Sequence, residues 1–290
     1  MEAEDFFKRY ESQGQIVDFN VDTRKALRVN TLKISEEELV SRLKNNGVKL
    51  EKIPFVKHGY FYSAKFSLGS TPEYLQGYYY LQEGASQVPA EVLDPQEEDL
   101  VLDMCAAPGS KTTQLAQLMN NKGKIIAIDV INKRLESLNN NLERMGVVNT
   151  STFLLNAKDV TSFNLVFDKV LLDAPCSGNF VTDKGWIKKR DMPGIKNNSD
   201  KQKSLLERAF NVLKPGGICV YSTCSLEIEE DEDNVSYARF LGFEVLDSGL
   251  DFGTPGCTED SFLARKFWPN LTRTQGFFVV KLKKPENNSS

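Results

Sequence analysis

The stretch "EDLVLDMCAAPGSKTTQLAQLMNNKGKIIAIDV" at residues 98–130 decides the fold of this chain. An apolar run that ends at Cys105 is followed by a loop of small residues, a helical pattern and a second apolar run, "GKIIAIDV". A strand, a helix and a strand in this order predict a βαβ unit, because parallel neighbours need a crossover connection. The second strand ends at Asp129, about 20 residues beyond the loop.

The same alternation continues along the chain to "ICVYSTC" at residues 218–224. It predicts a helix over 132–146, strands over 150–156 and 167–175, and a helix over 199–217 that ends at Pro-Gly-Gly. Continuous apolar strands separated by helices are typical of a parallel sheet covered on both faces. We therefore predict a doubly wound, Rossmann-like α/β domain over residues 93–284.

Residues 1–92 have a different pattern, which predicts a small N-terminal α+β, RRM-like module and a connector. "ALRVNTL" alternates like a strand, Ser35 and Glu38 form a capping box before a helix, and "VKLEKI" and "GYFYS" also resemble strands. The connector is rich in tyrosine, which favours an aromatic seam between two modules over a surface that stacks on bases. We expect the polar tail, residues 285–290, to be disordered.

Composition and charge indicate an ordinary globular protein. The 290 residues are 40% hydrophobic and 26% charged, without an apolar run of roughly 18 residues or the apolar core of a signal peptide. We therefore expect a cytoplasmic protein, with no membrane partner, that acts as a monomer. The net charge of −4 does not by itself indicate a nucleic-acid partner, although basic clusters occur at 23–33, 185–190 and 200–208.

The five cysteines lack CxxC spacing, so neither a disulfide framework nor a metal site is favoured. The single histidine, His58, is far along the chain from Cys176 and Cys224, which disfavours a Cys-His dyad. Both cysteines follow predicted strands of one sheet, in "KVLLDAPCSG" (169–178) and "VYSTCSLEIEEDEDNV" (220–235). We therefore expect the two thiols at the same edge of the sheet, beside Asp173.

The loop "DMCAAPGSKT" at residues 103–112 indicates a ligand that the backbone approaches closely. Its glycine spacing fits neither a P-loop nor a G-x-G-x-x-G fingerprint, so a phosphate cradle is poorly supported. Asp129 is placed to accept hydrogen bonds from the two ribose hydroxyls of an adenosine. It is equally suited to cap the following helix, and both roles are compatible.

"DMCAAPGSKT", "LLDAPCSG" and "VYSTCSLEIEEDEDNV" resemble motifs of the NOL/NOP/Sun (NSUN/RsmB) family of RNA cytosine-5 methyltransferases, in a short form like the archaeal members. The resemblance covers about residues 24–283 and implies S-adenosylmethionine as cofactor and RNA as substrate. It implies that Cys224 adds to C6 of the target cytosine and that Cys176 helps to release the product. Asp173 is expected to hydrogen-bond the base and to lie near the cofactor, while the base that removes the C5 proton is not identified.

The resemblance also implies which residues bind the cofactor. They are the loop residues and two acids: Cys105, Ala106, Ala107, Pro108, Gly109, Ser110, Lys111, Asp129 and Asp173. Family members often carry an aspartate where this chain has Lys158, so we expect Asp159 to take that place at the adenine. A second departure is Gln275 before Gly276, where an acidic residue is more usual.

Several alternatives remain at this point. Transfer RNA is the expected substrate and small-subunit ribosomal RNA the second. A DNA cytosine-5 methyltransferase leaves Cys224 without a role, an amine-directed methyltransferase needs no thiol, and a noncatalytic RNA-binding assembly factor needs neither thiol. We expect the acids at 227–233 to open a helix, where negative charge suits the helix dipole.

Overall fold

The computed structural model describes residues 3–18 and 20–286, and these residues contain both predicted modules. A four-stranded antiparallel sheet forms the N-terminal module, and a nine-stranded mixed sheet forms the centre of the larger α/β domain. Residues 287–290 of the tail that was predicted to be disordered lie outside the described residues.

One face of the sheet in the N-terminal module packs against the large domain, and a helix of the module covers the other face. Its elements are α1 (Ala3–Ser12), β1 (Ala26–Val29), α2 (Glu36–Asn45), β2 (Lys49–Lys52), β3 (Gly59–Ser63), α3 (Pro72–Leu75) and β4 (Tyr79–Tyr80), with sheet order β2-β3-β1-β4. Alternate β1 residues point to opposite sides, so Ala26 packs in the interdomain core while Leu27 packs against Leu39 of α2. Ser35 accepts a hydrogen bond from the amide of Glu38 at 3.2 Å, as its predicted role as N-cap requires.

The large domain follows the predicted alternation of strands and helices. It comprises α4 (Val88–Leu93), β5 (Leu100–Asp103), α5 (Ser110–Leu118), β6 (Lys124–Asp129), α6 (Asn132–Met145), β7 (Thr150–Leu154), β8 (Phe167–Asp173), α7 (Trp186–Lys189), α8 (Met192–Val212), β9 (Leu213–Thr223), α9 (Glu232–Phe240), β10 (Glu244–Leu246), β11 (Thr254–Pro255), β12 (Arg265–Phe267), α10 (Pro269–Thr272) and β13 (Phe277–Lys283). The strand order is β11-β12-β13-β9-β8-β5-β6-β7, and β10 also pairs with β13. Strands β9 to β7 in this order are parallel, and apolar side chains cover both faces of the sheet.

Two features of the sheet differ from the prediction. Helix α8 ends at Val212, and the Pro-Gly-Gly segment belongs to β9 because a register shift beside Phe167 and Lys169 lets the strand accommodate it. Gly216 has φ +76° there, a conformation that favours glycine. Strand β13 pairs antiparallel with β9, so the sheet is mixed rather than wholly parallel.

Aromatic contacts join the N-terminal segments to the large domain. The ring centroids of Phe6 in α1 and Trp186 in α7 lie 4.7 Å apart, and those of Tyr10 and Trp268 lie 5.6 Å apart. In the connector, the Arg144 guanidinium lies 4.2 Å from the ring centroid of Tyr74, which fits the predicted aromatic seam. None of the helices in the described residues is long and apolar enough to cross a membrane.

Candidate active site

The cofactor end of the site is the loop 103–112 together with Asp129. Strands β5 and β6 are adjacent and parallel, so the loop and Asp129 lie at the same edge of the sheet. Gly109 has φ +103°, and a Cβ there would lie 2.7 Å from a methyl carbon of Leu138. Both the backbone conformation and the close approach of α6 therefore require glycine at this position.

Asp129 is buried, and its carboxylate is held by the backbone of its own neighbourhood. It accepts hydrogen bonds from the amides of Ile131 at 3.0 Å and Ala107 at 3.3 Å, and Arg134 lies 3.6 Å away. A cavity of about 310 Å³ opens beside it, with the exposed side chain of Val130 on its wall. An acid next to apolar surface matches a ribose and an adenine ring, so these residues fit the adenosine part of S-adenosylmethionine.

The structure does not place Asp159 on this cavity. Asn156, Ala157 and Lys158 line it, whereas Asp159 is exposed in the short helical segment that follows β7. Asn156 caps this segment by accepting a hydrogen bond from the amide of Lys158 at 3.0 Å. The expectation that Asp159 substitutes at the adenine is therefore not supported by the geometry.

The thiol end of the site consists of Cys176 and Cys224 with the residues that follow them, 177–179 and 225–232. The parallel strands β8 and β9 pair Asp173 with Ser222, so the segments that leave these strands run side by side. The two sulfur atoms lie 2.8 Å apart. The structure thus brings together the two thiols that the sequence places 48 residues apart.

The two thiols differ in acidity because they share one hydrogen bond. The hydrogen bond between the two sulfur atoms lowers the pKa of Cys224, against the opposing effects of burial and of the Asp173 charge. The same interaction, reinforced by burial, raises the pKa of Cys176. Cys224 is therefore the thiol that ionises first, and a thiolate rather than a thiol is the nucleophile in cysteine chemistry.

Asp173 is oriented by side chains from two other segments of the chain. One carboxylate oxygen accepts a hydrogen bond from the Ser222 hydroxyl at 2.7 Å, and the other accepts one from the Lys111 ammonium at 2.7 Å. Lys111 also donates to the Ser86 hydroxyl at 2.9 Å. Sequence reasoning placed Lys111 in the cofactor loop but missed this ion pair, which links the cofactor end to the thiol end.

Asn179 holds the backbone beside the nucleophile candidate. Its buried amide nitrogen donates to the carbonyl of Cys224 at 2.8 Å and to the carbonyl of Gly276 at 3.0 Å. Its oxygen accepts hydrogen bonds from the amides of Val181 and Thr182. The segment after Cys176 is thereby fastened to the segment after Cys224 and to the start of β13.

The acids that follow Cys224 are mostly buried, which corrects the expectation that they simply open a helix. Only Glu232 and Asp233 lie in the first turn of α9. Glu230 is buried and accepts hydrogen bonds from Gln202 at 2.7 Å, from the Ser177 amide at 3.0 Å and from the Ser225 hydroxyl at 3.3 Å. Burial raises the pKa of Glu230 to about 7.

Two cations and a tyrosine hydroxyl from remote segments balance the other acids. Lys266, with only 2% of its side chain exposed, lies 3.1 Å from Asp231 and 2.9 Å from Glu232. Glu227 accepts hydrogen bonds from Tyr10 at 2.7 Å and from Arg9 at 3.2 Å. The negative charge behind the thiols is therefore compensated inside the protein rather than by solvent.

His58 lies in the N-terminal module, where its Nδ1 atom is 2.7 Å from Glu36, and it takes no part in the thiol end. Over residues 3–18 and 20–286, three or more His, Cys, Asp or Glu side chains are nowhere clustered so as to hold a metal ion.

The order of parallel strands and the cavity beside Asp129 fit the Rossmann-like fold of S-adenosylmethionine-dependent methyltransferases. Sequence comparison makes the assignment more specific. A model described as "16S rRNA methyltransferase RsmB/F" matches residues 90–283, and one described as "N-terminal domain of 16S rRNA methyltransferase RsmF" matches residues 2–84. The chain belongs to the RsmB/F (NOL/NOP/Sun) family.

Three relatives illustrate the likeness. A methyltransferase homologue from Pyrococcus horikoshii is 41% identical with TM-score 0.83, covering 96% of this chain and 90% of that one. NSun6 from Pyrococcus horikoshii, solved with SFG, an S-adenosylmethionine analogue, is 28% identical with TM-score 0.86, covering 98% and 95%. The mouse 28S rRNA (cytosine-C(5))-methyltransferase is 41% identical over 90% of this chain. The chain spans 35% of that mouse protein and 58% of the Vibrio atlanticus ribosomal RNA small subunit methyltransferase F.

Proposed function

We propose that the chain methylates C5 of cytosine in RNA. The observation that carries the proposal is the pair of thiols 2.8 Å apart at the ends of β8 and β9, next to Asp173. Cytosine C5 is a poor nucleophile on its own, so a reaction at C5 needs a prior addition at C6. A single thiol serves that addition, and a second one at contact distance has a use when the adduct must be taken apart again.

The proposed reaction proceeds through a covalent adduct. The Cys224 thiolate donates its electron pair to form an S–C6 bond, which makes C5 enamine-like. Bound S-adenosylmethionine would supply the methyl group to C5, with its S–CH3 bond breaking to leave S-adenosylhomocysteine. Loss of the C5 proton then restores the aromatic ring as the S–C6 bond breaks, with Cys176 assisting the release. Asp173, held by Lys111 and Ser222, hydrogen-bonds the base near N3.

The acidity of the two thiols supports this division of roles. The shared hydrogen bond lowers the pKa of Cys224, as a nucleophile requires, and raises the pKa of Cys176. On the cofactor side, we propose that the loop from Cys105 to Lys111 and Asp129 bind S-adenosylmethionine. We further propose that Asn156 or Lys158, rather than Asp159, contacts the adenine, since these two line the cavity.

Ribosomal RNA is the substrate that we propose to test first. The names of the matching families and of the mouse relative refer to ribosomal RNA, and they give no support to the earlier expectation of transfer RNA. A base inside a helix must be unstacked before a thiol reaches C6, so the target cytosine is unpaired or flipped out. We propose that residues 1–92 and the basic clusters 185–190 and 200–208 contact the RNA backbone.

The test is methyl transfer from labelled S-adenosylmethionine to ribosomal RNA and transfer RNA in parallel, followed by nucleoside analysis. Wild type is expected to yield 5-methylcytosine, and Cys224→Ala is expected to yield none. Cys176→Ala is expected to accumulate a protein–RNA adduct that resists denaturation. Cys257→Ala, which removes an exposed thiol, serves as the matched control. An adduct that forms without Cys224 but requires Cys176 contradicts the proposed roles, and absence of cofactor binding favours a noncatalytic factor.

A further inference from the structure

An open, polar cavity lies at the edge of the N-terminal module, outside the catalytic machinery. It has a volume of about 470 Å³ and forms where the start of β1 meets the loop after β3. The residues that define its chemistry are Lys25, Tyr62, Lys65 and Phe66. The Phe66 ring is open to solvent, with 44% of the residue's surface exposed. An exposed aromatic ring that shares a cavity with two lysines differs from the buried Tyr79 and Tyr80 of the same module.

The charge of this cavity distinguishes it from three other cavities of the described chain. The cavity around Phe55 and Phe252 balances Lys52 and Lys57 with Glu91 and Asp251. Two further cavities likewise carry as many acids as lysines, Asp22 with Lys184 in one, and Asp168 and Glu286 with Lys169 and Lys214 in the other. The cavity at Lys25 and Lys65 contains two lysines and no acid. Among the described residues neither lysine has an acidic partner within ion-pair distance, so both charges are available to an anion.

The position of the cavity ties it to the rim of the candidate active site. Leu81 on its wall precedes Glu83 by two residues, and the Glu83 carboxylate accepts a hydrogen bond from the amide of Gln275. The amide of Arg24, next to Lys25, donates to the carbonyl of Arg273 at 2.9 Å. Gly276 lies three residues beyond Arg273, and its carbonyl accepts a hydrogen bond from the same Asn179 amide group that binds the carbonyl of Cys224. An RNA strand that leaves the thiol end and follows residues 273–276 of the protein therefore reaches Lys25.

We propose that this cavity binds an unpaired nucleotide of the RNA substrate that flanks the target cytosine, with the base stacked on Phe66 and phosphates bound by Lys25 and Lys65. The inference rests on the proposed function and deepens it by assigning a second contact point for the RNA. Stacking on an aromatic ring tolerates any base, because every base has a π face, and the lysines contribute attraction that depends on salt. The subsite therefore contributes affinity for the RNA and fixes the position of the RNA strand on the protein, and it does not recognise a particular base.

The experiment measures RNA binding separately from methyl transfer. A fluorescent single-stranded RNA of about ten nucleotides that contains one cytosine is titrated at several salt concentrations against wild type, Lys25→Ala, Lys65→Ala and Phe66→Ala. We expect Phe66→Ala to weaken binding about 5- to 100-fold. Each lysine variant is expected to reduce the slope of log affinity against log salt by about 0.7. Cofactor affinity is expected to stay at the wild-type value in all three variants.

Two control variants keep the charge and ring changes but move them elsewhere. Lys124→Ala removes an exposed lysine at the start of β6, outside the regions that we propose contact RNA, and Phe240→Ala removes a ring that is 84% exposed on α9. Both are expected to bind RNA like wild type. Wild-type affinity in Phe66→Ala and both lysine variants overturns the subsite, as does equally tight binding of polyaspartate, which marks a general anion site. Wild type that binds the RNA but methylates neither ribosomal nor transfer RNA overturns the proposed function instead.

Discussion

At the cofactor end, Asp129 is held by the amides of Ala107 and Ile131, which lie 22 and 2 residues away along the chain. At the thiol end, Glu227 is held by Tyr10, which lies 217 residues away. Glu230 and Glu232 bind partners 28 and 34 residues away. The cofactor end is thus built within one βαβ unit, whereas the thiol end also draws on segments as remote in sequence as α1.

The acids at the two ends of the site differ in their partners because they differ in their exposure to a ligand. Asp129 faces a cavity, so its charge is available to a ligand and needs few internal partners. Asp231 and Glu232 are fully buried, and a buried carboxylate is tolerated only when it is paired or hydrogen-bonded. The thiol end should therefore depend on the integrity of the whole fold, whereas the cofactor end should tolerate local changes.

The largest expected effect comes from removing the buried cation of the thiol end. Lys266→Met leaves Asp231 and Glu232 without their partner, and breaking a buried pair in this way costs about 3–5 kcal/mol. We expect urea unfolding followed by circular dichroism to show a loss of stability of that size. In Lys266→Met protein that remains folded, we expect the Cys224 thiol to lose its reactivity as a nucleophile. We expect the affinity for S-adenosylmethionine to stay at the wild-type value.

The matched control for this prediction is Lys122→Met, because the ion pair of Lys122 with Glu97 is on the surface. Surface pairs contribute about 0–1 kcal/mol, so this variant should unfold nearly like wild type. If Lys266→Met is equally mild, the buried acids do not depend on Lys266 and the contrast between the two ends is wrong.

The same contrast explains how far the sequence could be interpreted. The β5 loop, Asp129 and the strand ends at Asp173, Cys176 and Cys224 were predictable because their signals are local runs of apolar and small residues. The burial of Glu227 and Glu230 was not predictable. A run of acids is typical of a solvated surface, and the residues that bury these acids, Tyr10, Gln202 and Lys266, lie in remote parts of the sequence. The Lys111–Asp173 pair, which joins residues 62 apart, was missed for the same reason.

A smaller effect is expected at the cofactor end. Asp129→Asn keeps the shape of the side chain and an oxygen for the Ile131 amide but removes the charge that we propose binds the ribose. Loss of one hydrogen bond to a charged group predicts about 10- to 100-fold weaker binding of S-adenosylmethionine in calorimetric titration. The unfolding midpoint and Cys224 reactivity are expected to change little. Asp159→Asn is the control, and an equal loss of affinity in it reinstates Asp159 as a contact.

The smallest effect concerns the dependence of stability on pH at the thiol end. The pKa of Glu230 is raised from 4.5 to about 7, chiefly by burial, so between these values the folded protein keeps a proton that the unfolded chain releases. Stability falls with pH wherever the unfolded state binds fewer protons, so this contribution is full below pH 4.5 and is lost as pH rises through about 7. Glu230→Gln has no such proton to lose.

We therefore expect the stability of wild type relative to Glu230→Gln to decrease, by on the order of 1 kcal/mol, between about pH 5 and pH 7.5 and then to level off. Urea unfolding of both proteins across this range measures the difference. Glu227 and Asp231 are nearby acids with raised pKa values, but both are present in the two proteins, so their direct contributions largely cancel. Glu97→Gln should run parallel to wild type above pH 5, because the pKa of exposed Glu97 is lowered. A constant difference between wild type and Glu230→Gln means that Glu230 is ionised throughout, and the thiols then face a fixed negative charge.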